Sequence, residues 1–130
     1  MTRSVSSCSI FAGPEREGDA EQVGKEIGMD VVCFDILRSK HHNLLDDLIW
    51  GGIGTDVEAG VYDGVLMAPP CGTFCRARRG IEGPRAIRTT GKPYGIKDIT
   101  PQEKEAARIG TSLALRSLAM ARICESLLIP

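Results

Sequence analysis

The chain has no apolar run approaching the roughly 18 residues that a membrane span needs. Its first residues, Met1-Thr2-Arg3-Ser4, lack the long apolar stretch of a secretory leader. No internal repeat and no low-complexity segment stands out. Net charge is almost missing too: 16 Lys+Arg oppose 17 Asp+Glu over 130 residues, a formal net charge of −1. These absences speak against a membrane protein, a secreted protein and a repeat array. Taken at face value, the missing charge also speaks against a nucleic-acid protein, since those are usually basic. What remains is ordinary: 42% hydrophobic and 25% charged residues. That is too apolar for a disordered tail and suits one folded, soluble domain.

The near-zero sum hides a division. Residues 1–70 carry 5 basic and 12 acidic side chains, residues 71–97 carry 7 basic and 1 acidic, and residues 98–130 carry 4 of each. Neutrality here averages two stretches of opposite sign, so it does not exclude DNA as a partner.

Five cysteines, Cys8, Cys33, Cys71, Cys75 and Cys124, are odd in number and irregular in spacing. A disulfide scaffold does not fit, and a reducing compartment, cytoplasmic or nucleoid/nuclear, does. Cys8, Cys33 and Cys124 lie in apolar runs and read as small buried core residues. Cys71 has a different setting.

The pattern along the chain alternates. Ser4 to Gly13 reads as a strand ending at a glycine. Glu15 to Ile27 reads as a helix with Ala20, Val23 and Ile27 on one face, ended by Gly28. Asp30 to Leu37 reads as a strand buried on both faces. Asn43 to Gly60 carries an imperfect helical stripe that Gly51, Gly52 and Gly54 are expected to break or end. Tyr62 to Ala68 reads as another buried strand, halted by Pro69-Pro70. Cys71 to Ile99 is a long basic loop, a feature usually functional or mobile. Thr100, Pro101 and Glu103 make a capping box for a helix running to about Leu127, whose apolar second half predicts burial. The expected fold is α/β, a three-layer parallel sheet. It forms one domain: residues 1–70, a loop over 71–99, and a long helix over 100–127.

In such sheets ligands bind outside the carboxyl ends of the strands. Gly13 follows the first strand and lets a ligand approach the backbone. Asp35, about 22 residues after the first loop, can accept hydrogen bonds from a ribose diol. Cys71 follows two prolines that stiffen its mount. A following backbone turn and the nearby Arg76, Arg78 and Arg79 favour its thiolate. Each has a plainer reading: a turn, a cap or solvated acid, and a structural thiol.

Ala68-Pro69-Pro70-Cys71-Gly72-Thr73-Phe74-Cys75 resembles the Pro-Pro-Cys motif of the DNA cytosine-5 methyltransferases. Ile10-Phe11-Ala12-Gly13 is similar to the start of their S-adenosylmethionine loop, Phe34-Asp35 to their ribose-binding acid, and His42-Asn43-Leu44 to the loop that meets the adenine. The order and spacing agree over roughly the first 80 residues. The resemblance implies the Rossmann-like fold of S-adenosylmethionine-dependent methyltransferases, incomplete at its C-terminal end. It implies Cys71 as catalytic nucleophile, Phe11, Ala12, Gly13, Asp35, Asn43 and Pro69 as the cofactor site, and a flipped cytosine as substrate. Arg76, Arg78, Arg79, Arg85 and Arg88, on a Gly- and Pro-rich loop just after the nucleophile, would meet the DNA backbone.

The sequence departs from the family in places. Pro14-Glu15-Arg16-Glu17 intervene before Gly18, where further glycines are usual. Asn43 replaces an acid and Cys75 a serine. Leu128-Ile129-Pro130 resembles the start of the strand whose Glu-Asn pair holds the target base in the family. Glu125 lies in the helix and does not replace that glutamate. The expectation is therefore a fragment of the cofactor half, or a degenerate relative, with little turnover of its own. Two other functions compete: a non-catalytic nucleic-acid-binding module, and a methyltransferase for another substrate. Ala68-Pro69-Pro70-Cys71 lacks the polar first residue and the aromatic of the amino-methylating families. His41, His42, Cys71 and Cys75 supply four possible zinc ligands, but their spacing does not match a zinc finger. The arginine run also reads as a solvated face.

Overall fold

The computed structural model describes residues 4–74 and 83–130. Their elements run β1 (Ser6–Ile10), α1 (Ala20–Glu26), β2 (Asp30–Phe34), α2 (Asp47–Glu58), β3 (Gly64–Met67), a 3-10 turn (Gly72–Phe74) and α3 (Pro101–Ser126). The chain forms two compact units, Met1–Ala68 with Ser117–Pro130, and Pro69–Arg116. Among the described residues no helix is long and apolar enough to cross a membrane.

The first unit is α/β and is built on a three-stranded sheet of order β2-β1-β3, parallel throughout. Cys8 lies beside Val32 and Val65, and Ile10 beside Phe34 and Met67. β1 has few residues of high strand propensity. Its central place decides its conformation, with Cys8, Ser9 and Ile10 all buried. From β1 the chain steps to β2 and then returns across β1 to β3. Right-handed crossovers in opposite directions put α1 and α2 on opposite faces of the sheet. The reversal falls between the carboxyl ends of β1 and β3, the position where open α/β sheets bind ligands.

Local chemistry sets the element ends. α1 is shorter than its apolar spacing predicts, because Asp19 caps it by accepting from the Gln22 amide at 2.9 Å. Gly28, at φ 86°, follows its end as expected. Gly24 brings α1 close to β2, since a Cβ there would sit 2.5 Å from Val31 Cγ2. α2 starts at its cap, Asp46, which accepts from Leu48 N at 2.9 Å.

The expected break at Gly51, Gly52 and Gly54 does not occur, and α2 is continuous through all three. Each glycine costs about 1 kcal/mol in a helix interior. Burial of Ile53 and Val57 contributes about 1.5–3 kcal/mol each and offsets that cost. β2 and β3 also differ from expectation: they are the outer strands of the three-stranded sheet, and Val32 and Leu66 are 40% and 56% exposed rather than buried.

The capping box of α3 is formed. Glu103 N donates to Thr100 Oγ1 at 3.2 Å, and Thr100 N donates to Glu103 Oε1 at 3.0 Å. The burial expected all round its second half is confined to one stripe. Leu113, Ser117, Met120 and Cys124 are buried, whereas Leu115 and Leu118 are exposed. Their 4-3-4 spacing follows one face of the helix. Beyond α3 the chain turns at Leu128, φ 56°. Val65 N on β3 then donates to Pro130 O at 2.9 Å. The segment expected to open a further strand makes this one backbone bond to β3 and is not itself a strand.

Candidate functional site

In the first unit, the carboxyl end of β1 carries an unusual backbone. Phe11 has φ 62°, a left-handed conformation that costs an L residue about 1–2 kcal/mol. The surroundings over-determine it. The amides of Phe11 and Ala12 both donate to Phe34 O, at 2.9 and 3.2 Å. The Phe11 ring is buried and tilted against Trp50, with centroids 6.3 Å apart.

Gly13 follows at φ 75°, with open space where a Cβ would point. Its N–H donates to Asp35 Oδ2 at 2.9 Å, and its carbonyl accepts from Arg38 Nε at 2.7 Å. The loops after β1 and β2 are therefore bound together through both polar groups of one glycine. Arg38 extends the junction to α1. It pairs with Asp19 at 3.1 Å and with Glu21, and all three side chains are largely buried. The Gln22 and Arg16 amides, helped by Arg38, hold the Asp19 carboxyl below its usual range. Lys25 and then Arg38 do the same for Glu21.

Asp35 also accepts from Leu37 N through Oδ1 at 2.8 Å. An ionised carboxylate offers about four lone-pair sites, and two are used by these amides. The others leave it able to accept from a diol. The Asp35 amide donates to His42 Nδ1 at 3.4 Å, and the His42 ring lies 5.2 Å from that of Phe34. Asn43 is exposed and uses Oδ1 on Leu45 N at 3.1 Å, closing its own turn. Phe11, Ala12, Gly13 and Asp35 thus form one bonded group. Asn43 makes a local turn instead.

In the second unit, Pro69 and Pro70 lead into Cys71, an exposed free thiol. The Cys71 carbonyl accepts from Phe74 N at 2.9 Å, which closes the 3-10 turn Gly72–Phe74. Arg85 gives two hydrogen bonds to Glu103, at 2.7 and 2.6 Å, and two to Asp98, at 3.2 and 3.0 Å. Arg85 holds the Glu103 carboxyl down to about 2, the Thr100 amide adding to it, and Arg85 itself is pushed up. Arg88 is turned inward and bonded to Thr73, Pro93, Ala107 and Thr111. Its N–H groups are all engaged inside the protein, leaving none for a phosphate. Cys75, Arg76, Arg78 and Arg79 lie outside the described residues.

Sequence reasoning did not single out Trp50, Arg38, Thr73 or Gly110. Gly110 carried a signal, since a glycine in a helix interior points to a close approach. The others carried none, because their partners are 15 to 39 residues away. No protein-family model, curated protein or solved structure matches the chain.

Proposed function

We propose that the protein is an S-adenosylmethionine-dependent methyltransferase of the DNA cytosine-5 type, with Cys71 as its nucleophile. The observation that carries this reading is the strained turn Phe11-Ala12-Gly13, bonded to Asp35 at the strand ends where such sheets take ligands. Strain held in place by its surroundings marks functional loops more often than ordinary turns. The second support is the Pro-Pro-Cys sequence, which follows β3 along the chain.

The residues present fit a nucleoside cofactor. Asp35 keeps acceptor sites for the ribose diol, and Gly13 presents a bare backbone face beside it. Bound there, S-adenosylmethionine would supply an electrophilic methyl group. Cys71, as thiolate, adds through sulfur to carbon 6 of an extruded cytosine, and the electron pair of the 5,6 double bond becomes available at carbon 5. Once carbon 5 has taken the methyl group, with S-adenosylhomocysteine as the leaving group, a base removes the carbon 5 proton, the 5,6 double bond re-forms, and the Cys71–carbon 6 bond breaks with its electron pair returning to the thiolate. DNA contact is assigned to Arg76, Arg78 and Arg79, directly after the nucleophile.

The test is transfer of labelled methyl from S-adenosylmethionine to duplex DNA. Cys71→Ser abolishes what transfer the chain supports, and Asp35→Ala weakens cofactor binding at least tenfold. Transfer undiminished by Cys71→Ser removes Cys71 from the mechanism.

A further inference from the structure

Arg88 is bonded in a way that a surface cation is not. A guanidinium has five N–H donors. Nε and Nη2 donate to Thr73 Oγ1 at 3.2 and 3.1 Å, Nη2 also to Ala107 O at 2.8 Å, and Nη1 to Thr111 Oγ1 at 2.9 Å and Pro93 O at 2.7 Å. Its central carbon lies 3.8 Å above the Phe74 ring. The backbone beneath it is fixed as well: Ile87 is fully buried, and its carbonyl accepts from Ile96 N at 2.9 Å.

Gly110 makes room for this arrangement. A Cβ at that position would sit 2.7 Å from Thr73 Oγ1 and 3.3 Å from Arg88 Nη2. α3, Arg88 and the turn Gly72–Phe74 are thus joined, and the turn is closed by the bond from Phe74 N to Cys71 O. The path from the helix to the thiol-bearing residue is short and made of bonds.

We infer that Arg88 is a positioning residue: with Gly110 it fixes the turn that follows Cys71 and so aims the thiol, rather than contacting DNA. The inference rests on the proposed role of Cys71 as nucleophile. Lysine cannot replace the fork, because its single ammonium does not reach four residues at once. Removing the anchor affects the step in which sulfur meets the base, while encounter with the DNA backbone is untouched.

The experiment compares the wild-type chain with Arg88→Lys, Arg88→Met and Gly110→Ala. It uses a duplex bearing 5-fluorocytosine, which traps the covalent adduct, together with S-adenosylmethionine. Expected for all three variants is a trapping rate at saturating duplex at least tenfold lower. Duplex affinity without cofactor, and its salt dependence, stay within twofold of wild type. Exchange of the Phe74 amide hydrogen rises at least tenfold, whereas the Cys8–Ile10 amides of β1 keep wild-type protection and show that the fold is intact. A phosphate contact gives the opposite pattern and overturns the inference: affinity falls and the salt slope drops by about 1. An unchanged trapping rate also overturns it. If wild type forms no adduct, the methyltransferase reading fails. Phe74 exchange then decides the anchor alone: faster exchange in Arg88→Met leaves it standing, and unchanged exchange removes it.

Discussion

Phe11 holds a backbone conformation that glycine adopts freely and phenylalanine does not. Its neighbour Gly13 shares the left-handed region, yet nothing lies within 4 Å of where its Cβ would point. Gly13→Ala therefore introduces no clash and costs only the conformational term, about 1 kcal/mol. Urea unfolding measures it, and an unchanged midpoint contradicts the account of this turn. The cysteines separate by environment. Burial pushes the Cys8 thiol up to about 12, with Cys33 and Asp56 adding to it, whereas Cys71 is exposed. Iodoacetamide at pH 8, followed by peptide mass analysis, labels Cys71 and leaves Cys8 intact in the folded protein. Labelling of Cys8 at a similar rate contradicts the core described here. The local setting of these residues was legible in the sequence, since apolar flanks marked Cys8 and the prolines marked Cys71. The strain at Phe11 was not, because it arises from a carbonyl on β2 more than 20 residues away.

Two helical glycines show how an element's surroundings reverse the effect of one substitution. At Gly54 a Cβ would lie 4.0 Å from Met120 Cε, an ordinary contact. Gly54→Ala then gains helix propensity and stabilises by about 0.5–1 kcal/mol. At Gly110 the same methyl meets the Thr73 hydroxyl at 2.7 Å, and overpacking of about 1–3 kcal/mol outweighs the propensity gain. Thermal unfolding of both variants checks the pair: opposite shifts in Tm are expected, and shifts of the same sign contradict the packing at Gly110.

Glu103 titrates at about 2 in the folded protein against 4.5 for an unperturbed glutamate, chiefly because of Arg85. A carboxyl lowered by folding adds stability above its unfolded pKa and loses it as pH falls toward its folded one. The bond between Arg85 and Glu103 accordingly persists through pH 4. Carboxyl titration by NMR places Glu103 near 2 in wild type and returns it toward 4.5 in Arg85→Met. A wild-type midpoint near 4.5 contradicts the ion pair. The capping box was readable from Thr100, Pro101 and Glu103 because capping is local. The continuity of α2 was not, since the burial that offsets its three glycines is tertiary.

At the scale of the whole molecule, the charge division follows the structural one. The unit Met1–Ala68 with Ser117–Pro130 carries 6 basic and 13 acidic residues, and Pro69–Arg116 carries 10 and 4. The change of sign between residues 70 and 71 fell two residues from the boundary between the units, so this much of the organisation could be read from composition. Composition could not say which cations face outward. Arg85 and Arg88 counted toward a DNA surface in the sequence, yet Glu103 and Asp98 take the first and Thr73, Thr111 and two carbonyls take the second. The parallel sheet followed from alternating strands and helices. The exposed β2 did not, because an apolar strand reads alike at a sheet's edge and its centre.

The central claim is that Cys71 attacks a cytosine. The direct measurement is intact-protein and peptide mass analysis after incubation with S-adenosylmethionine and a 5-fluorocytosine duplex. The account predicts a covalent adduct that requires the cofactor, maps to Cys71 and disappears in Cys71→Ser. No adduct, or one that persists in Cys71→Ser, would contradict it.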